Sequence, residues 1–189
     1  MKRVPIVPTV IVLIAVAYMI HLGIWQLDRL KLKEAMLARY TAAQNSSAEV
    51  PFVVRSELAE DALYHRSRLV CLNVGGMTTQ SGRNSKGEAG LAHYAQCRTA
   101  RGDAAKVVLG WSRDPAAPNW DGGVVTGWIA PGPRLVADPP VAGLAPNARP
   151  DPNDIPNNHL AYAVQWFLFA GVALVIYALA LMKRMRVSA

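Results

Sequence analysis

Pro156 to Phe167 reads PNNHLAYAVQWF, and His159 stands where that stretch turns from polar to apolar. A neutral imidazole is a common metal ligand. Tyr162 and Trp166 follow at helical spacing, on the same side of a helix as His159. A base above two aromatic rings at a lipid–water boundary suits a flat, apolar, metal-bearing ligand. The same residues would also serve as an ordinary interface anchor, because aromatic rings collect at membrane surfaces. A second histidine, His21, shares a helical face with Tyr18 and Trp25. It lies about 9 Å below Leu27 at roughly 1.5 Å per residue. A polar ring at that depth needs a function or a hydrogen-bond partner, from another helix or from Gln26.

Long apolar elements must position these groups. From Leu160 to Met182 the chain is apolar for about 23 residues, which spans a hydrocarbon core of roughly 30 Å. Pro156 fixes the chain just before this run, and Asn157 or Asn158 can cap its first free N–H groups. A second charge-free run, Val4 to Leu27, has about 24 residues. It exceeds the roughly 7–15 apolar residues of a cleaved signal peptide, and it ends in bulky Trp25, Gln26 and Leu27. It reads as a retained transmembrane helix. Lys2 and Arg3 flank one span, and Lys183, Arg184 and Arg186 the other. Positive flanks stay cytoplasmic. The predicted organisation is a cytoplasmic tail at 1–3, spans at 4–27 and 159–182, a periplasmic domain at 28–158, and a basic cytoplasmic tail at 183–189. Only three residues precede the first run, which leaves no room for a transit peptide and predicts a bacterial inner membrane.

The chain has 189 residues, a formal charge of +7 and 52% hydrophobic residues. Positions 28–158 hold all 13 acidic residues and 15 of the 20 basic ones, so this region is near +2 and the basic excess comes largely from the tails. That gives no support to a nucleic-acid partner, for which a basic stripe on a folded face is expected. Asp28 to Ala43 predicts an amphipathic helical stalk with Leu30, Leu37 and Tyr40 on one side. Val50 to Tyr64 reads as a connector with a short helix around Ser56 to Leu63. Strands are predicted at Tyr64–Asn73, ended by Gly75-Gly76, and at Leu91–Thr99, Lys106–Arg113 and Val124–Ile129. Short strands joined by turns imply an antiparallel sheet or small barrel. The fold class is therefore membrane α+β. Pro131 to Pro156 holds 8 of the 13 prolines and predicts an extended return strap.

Cys71 and Cys97 fall on two predicted neighbouring strands. In an oxidising compartment their default is a disulfide, stabilising by roughly 3 kcal/mol. The alternative is a monovalent copper site of Cys71, Cys97 and His93, since soft thiolates suit that ion. Arg66 and Arg68, with Arg55 upstream, form either a solvated face or a clamp for carboxylates. Trp111, Trp120 and Trp128 read as packing residues. The chain has no Cys-x-x-Cys-His, His-Glu-x-x-His, P-loop or Gly-x-Ser-x-Gly motif, and no enzyme active site is visible.

Two stretches carry a family resemblance. Gly23-Ile24-Trp25-Gln26-Leu27, with Arg29 and Lys33, resembles one signature of the Surf-one (surfeit locus) family. Asn158-His159-Leu160-x-Tyr162-Ala163-x-Gln165-Trp166-Phe167 resembles the other, and Gly110-Trp111 is similar to the family's central Gly-Trp. The resemblance implies a cytochrome c oxidase assembly factor, not an enzyme, that transiently and non-covalently binds haem a. It also implies His159 as axial ligand to the haem iron. Trp25, Tyr162 and Trp166 would line the apolar side, and Gln26 or basic residues would meet the propionates. Implied partners are oxidase subunit I, haem a synthase and membrane lipid. The alternative reading is a cofactor-free scaffold or chaperone for an oxidase assembly intermediate. His21 and His159 sit about 9 Å apart in depth, so a single protein ligand to the iron is expected.

Overall fold

The computed structural model describes residues 4–54 and 59–186. Lys2, Arg3, Arg55 and the start of the predicted Ser56–Leu63 helix lie outside them. The chain divides into two compact units. One comprises Met1–Met36 with Pro156–Ala189, and the other Leu37–Ile155.

Two helices make the first unit. α1 spans Ile6–Asn45, and Pro8 falls in its first turn, where a missing N–H breaks no bond. α2 spans His159–Arg186 and begins at the histidine itself. Both are long and apolar enough to cross a membrane, and only 11% and 6% of their apolar stretches are buried. That exposure excludes core helices of a soluble domain. Ile11, Ile14 and Ile24 on α1 and Leu168, Val175 and Ile176 on α2 are exposed, a surface that belongs in lipid.

The residues this unit does bury recur every seventh position: Val16 and Gly23 on α1, Ala163 and Ala170 on α2. Small residues along such a seam let helices approach closely in lipid. A Cβ on Gly23 would lie 2.6 Å from Phe167 Cε1, so only glycine leaves room for that ring. Near the other end the hydroxyls of Thr9 and Tyr177 are hydrogen-bonded. The two helices are therefore antiparallel.

The second unit is a seven-stranded sheet. Its strands are β1 Glu49–Pro51, β2 Arg66–Cys71, β3 Asn73–Arg83, β4 Ala89–Arg98, β5 Ala104–Ser112, β6 Gly123–Ala130 and β7 Arg134–Ala137. The order across the sheet is β1-β2-β6-β7-β5-β4-β3. The pairs β2–β6, β3–β4, β4–β5 and β6–β7 are antiparallel, as expected. The sheet is nonetheless mixed, because β1–β2 and β5–β7 are parallel. The second parallel pair is a geometric necessity: β7 inserts between β5 and β6, which run oppositely, so it must parallel one of them.

Only Leu72 separates β2 from β3, and its N–H donates to Arg98 O at 2.9 Å. β2 pairs with β6 while β3 pairs with β4. One bent stretch thus holds both sides of the sheet, and the sheet curls toward a barrel. A disulfide between Cys71 and Cys97 staples this corner, with Cα atoms 5.0 Å apart. Inside lie Leu69, Val107, Leu109, Val125, Ile129 and Leu135. Alternation along β5 puts Val108 on the opposite face, with Ala92, Ala130 and Val136.

Three local expectations are corrected. The strand predicted at Tyr64–Asn73 is β2, which already ends at Cys71, and an unpredicted strand, β3, runs through Gly75-Gly76 with a bulge between Val74 and Gly76. The proline-rich strap contains β7, whose Leu135, Val136 and Ala137 are buried. Pro131, Pro133, Pro139 and Pro140 flank those four residues without interrupting them. α1 continues as helix through the predicted stalk to Asn45, and its part from Leu37 onward belongs to the sheet unit. Tyr40 packs on Tyr64 with centroids 4.9 Å apart, and Gln44 is hydrogen-bonded to the backbone of Pro150 and to the side chain of Arg149. A 3-10 turn, Glu60–Ala62, stands where the short helix was predicted.

Candidate functional site

The candidate site lies within the helical unit. His159 opens α2, and its Nδ1 is 2.8 Å from Gln26 Oε1 on α1. Beside it is a cleft of about 430 Å³ lined by Trp25, Arg29, Leu32, Lys33, Met36 and His159. That volume falls within the roughly 300–1,000 Å³ of small-molecule sites. The five α1 residues recur at helical spacing, so they form one face over about 16 Å of rise. The Arg29 guanidinium carbon sits 5.4 Å from the centroid of the Trp25 ring, a cation–π arrangement. Neither Arg29 nor Lys33 is in an ion pair among the described residues. Two cations without a carboxylate partner favour an anionic ligand. Trp25, Leu32 and Met36 supply apolar and polarisable wall.

His159, Trp25 and Gln26 thus come together. Tyr162 and Trp166 do not line this cleft. Tyr162 is half exposed, and Trp166 packs edge-on against Phe169 with centroids 6.2 Å apart. Helical spacing puts Trp166 on the side of His159 but about 10 Å along the axis. Because the helices are antiparallel, that shift leads away from the cleft, which extends toward Met36. The sequence reading missed Leu32 and Met36. Their positions seven and eleven residues after Trp25 continue the same helical face beyond the charge at Asp28.

Other candidates have different surroundings. His21 is exposed and makes no hydrogen bond among the described residues, and Gln26 bonds His159 instead. Cys71 and Cys97 are both in the disulfide, so neither offers a thiolate for copper. His93 is buried and hydrogen-bonded to Ser112 Oγ at 2.8 Å. Arg66 is not an open clamp. It pairs with Asp138 at 3.3 Å and lies 5.0 Å from the Trp128 centroid. Arg68 lines a cleft of about 580 Å³ in the sheet unit, with Phe52, Val70 and Arg101, but no histidine or cysteine among the described residues borders it. Trp111 and Gly110 serve packing: the Trp111 ring lies 2.4 Å from where a Cβ on Gly90 would stand, and Leu144 covers Gly110. No group of three or more metal-ligating side chains exists among the described residues.

The two family-like stretches meet in this unit at two points, Gly23 against Phe167 and Gln26 against His159. Two membrane-length helices, a β-rich domain and a cleft at the helix start define a membrane-anchored protein with a candidate ligand site in its helical unit. Residues 13–171 match the SURF1 family, and the chain belongs to that family. It is accordingly a membrane protein and an assembly factor for cytochrome c oxidase, with the oxidase as its partner. No curated protein matches the chain.

Proposed function

We propose that this chain receives haem a in the cleft beside His159 and passes it to subunit I of the oxidase. The observation that carries the reading is His159 Nε2. It makes no hydrogen bond among the described residues, and it belongs to a ring that borders a cleft with apolar wall and two unneutralised cations. Haem a brings an iron that accepts an imidazole nitrogen, carboxylates, and an apolar tail suited to lipid. His159 would supply the axial nitrogen and Trp25, Leu32 and Met36 the apolar contact. Arg29 and Lys33 would meet the propionates, since cations bind carboxylates by charge-assisted hydrogen bonds. Tyr162 and Trp166 would sit further along α2, where the tail could run.

Haem a synthase is the natural supplier. The basic residues at the end of α2, Lys183, Arg184 and Arg186, favour that end in the cytoplasm. Both termini would then be cytoplasmic, and the sheet unit would be periplasmic at the inner membrane.

The test is the haem a content of subunit I purified from cells that depend on this chain, carrying either wild type or His159→Ala. The expected result is a loss of haem a from subunit I while the variant still co-purifies with it. Full haem a content with the variant would overturn the reading in favour of a cofactor-free scaffold.

A further inference from the structure

We propose that Gln26 is the positioning residue of His159, holding the imidazole as its Nδ1–H tautomer so that Nε2 presents a lone pair to the cleft. Its consequence for haem rests on the carrier reading above, but the pairing itself does not. A neutral imidazole has one N–H donor and one bare acceptor nitrogen. The atom facing Nδ1 at 2.8 Å is the amide oxygen of Gln26, which can only accept. This pairing requires the ring proton on Nδ1. Nε2 is the acceptor, and no group among the described residues donates to it. Unconstrained histidine in water favours the opposite tautomer, whose bare nitrogen is Nδ1, so the pairing selects the form that ligates through Nε2.

The surrounding packing supports this role. Gly23 lies one turn before Gln26 on α1 and seats the Phe167 ring of α2. That contact fixes the register of the two helices, and with it the approach of Gln26 to His159. Ligating histidines generally donate their second N–H to an oxygen acceptor, which orients the ring and raises its basicity. Gln26 fills that place here. The contact engages Gln26 through Oε1 and leaves its amide NH2 as a donor for a propionate, beside Arg29 and Lys33.

The test uses the full chain in lipid nanodiscs with ¹⁵N-labelled histidine, the His159 signal being identified by its loss in His159→Ala. The wild type is expected to show Nδ1–H, and Gln26→Leu to revert to Nε2–H. Titrated with haem a, Gln26→Leu should bind roughly 10- to 100-fold more weakly, the usual effect of losing such a partner. Gln26→Glu should restore binding, with the reduction potential of the iron shifted negative, because a carboxylate draws the ring toward imidazolate. An Nε2–H tautomer in the wild type would overturn the proposal. So would unchanged affinity and potential in both Gln26 variants while His159→Ala loses binding. Absence of haem binding throughout, with the Nδ1–H tautomer present in wild type and lost in Gln26→Leu, would overturn the carrier reading and leave the pairing standing.

Discussion

Replacing Cys71 and Cys97 together by alanine tests how the sheet unit is held closed. The bond joins residues 26 apart in sequence. Closing a loop of that length in the unfolded chain removes entropy equivalent to about 3.5 kcal/mol at room temperature. Both residues are buried, at 2% and 1% exposure, so the replacement also leaves small voids that add to the loss. A domain of this size is stable by about 5–15 kcal/mol, so the variant should fold but with much of its margin gone. Urea unfolding followed by tryptophan fluorescence reads this through Trp111, Trp120 and Trp128, which all lie in the sheet unit. With a slope of about 1–3 kcal/mol per molar urea, the midpoint should fall by roughly 1–3 M. Reductant should lower the wild-type midpoint similarly and leave the variant unaffected. A midpoint unmoved by the double replacement would refute the reasoning, as would equal reductant sensitivity in both proteins.

Two further perturbations probe the same unit. Burial, reinforced by nearby Tyr40, Asp154 and Asp151, raises the Tyr64 phenol above its ordinary 10.0. A raised acid stabilises the fold fully below pH 10.0, and that contribution disappears as pH rises through the folded-state value. Alkaline urea titrations should therefore show a fall in wild-type stability that is smaller in Tyr64→Phe. Asp138 accepts from Trp128 Nε1 at 2.9 Å and from Arg66 at 3.3 Å. Asp138→Ala leaves the buried indole N–H unpaired and should cost about 1–3 kcal/mol in a chemical melt. The half-exposed carboxylate places the loss toward the low end of that range. Asp138→Asn keeps an acceptor and should lose less.

The membrane architecture is legible in the sequence because uncharged apolar runs long enough to cross a bilayer seldom occur in soluble domains. The seven-residue seam is harder to read. Val16, Gly23, Ala163 and Ala170 are apolar residues among apolar neighbours, so residue type alone does not set them apart. β7 is hidden by the surrounding prolines, which mark a strap unless one asks which residues lie between them. Arg66 looks available because its partner, Asp138, lies 72 residues away. Gln26 reads as a neighbour of His21 on its own helix, whereas its observed partner is 133 residues distant. Periodicity correctly puts Tyr162 and Trp166 on the side of His159. It does not show that the cleft extends the other way, because that depends on the antiparallel register of two helices.

The most direct measurement is the absorption spectrum of the full chain purified from cells that make haem a, beside His159→Ala. The account predicts a haem a band in the wild type that the variant lacks. Wild-type protein free of haem a, from cells shown to contain it, would contradict the account, as would an unchanged band in the variant.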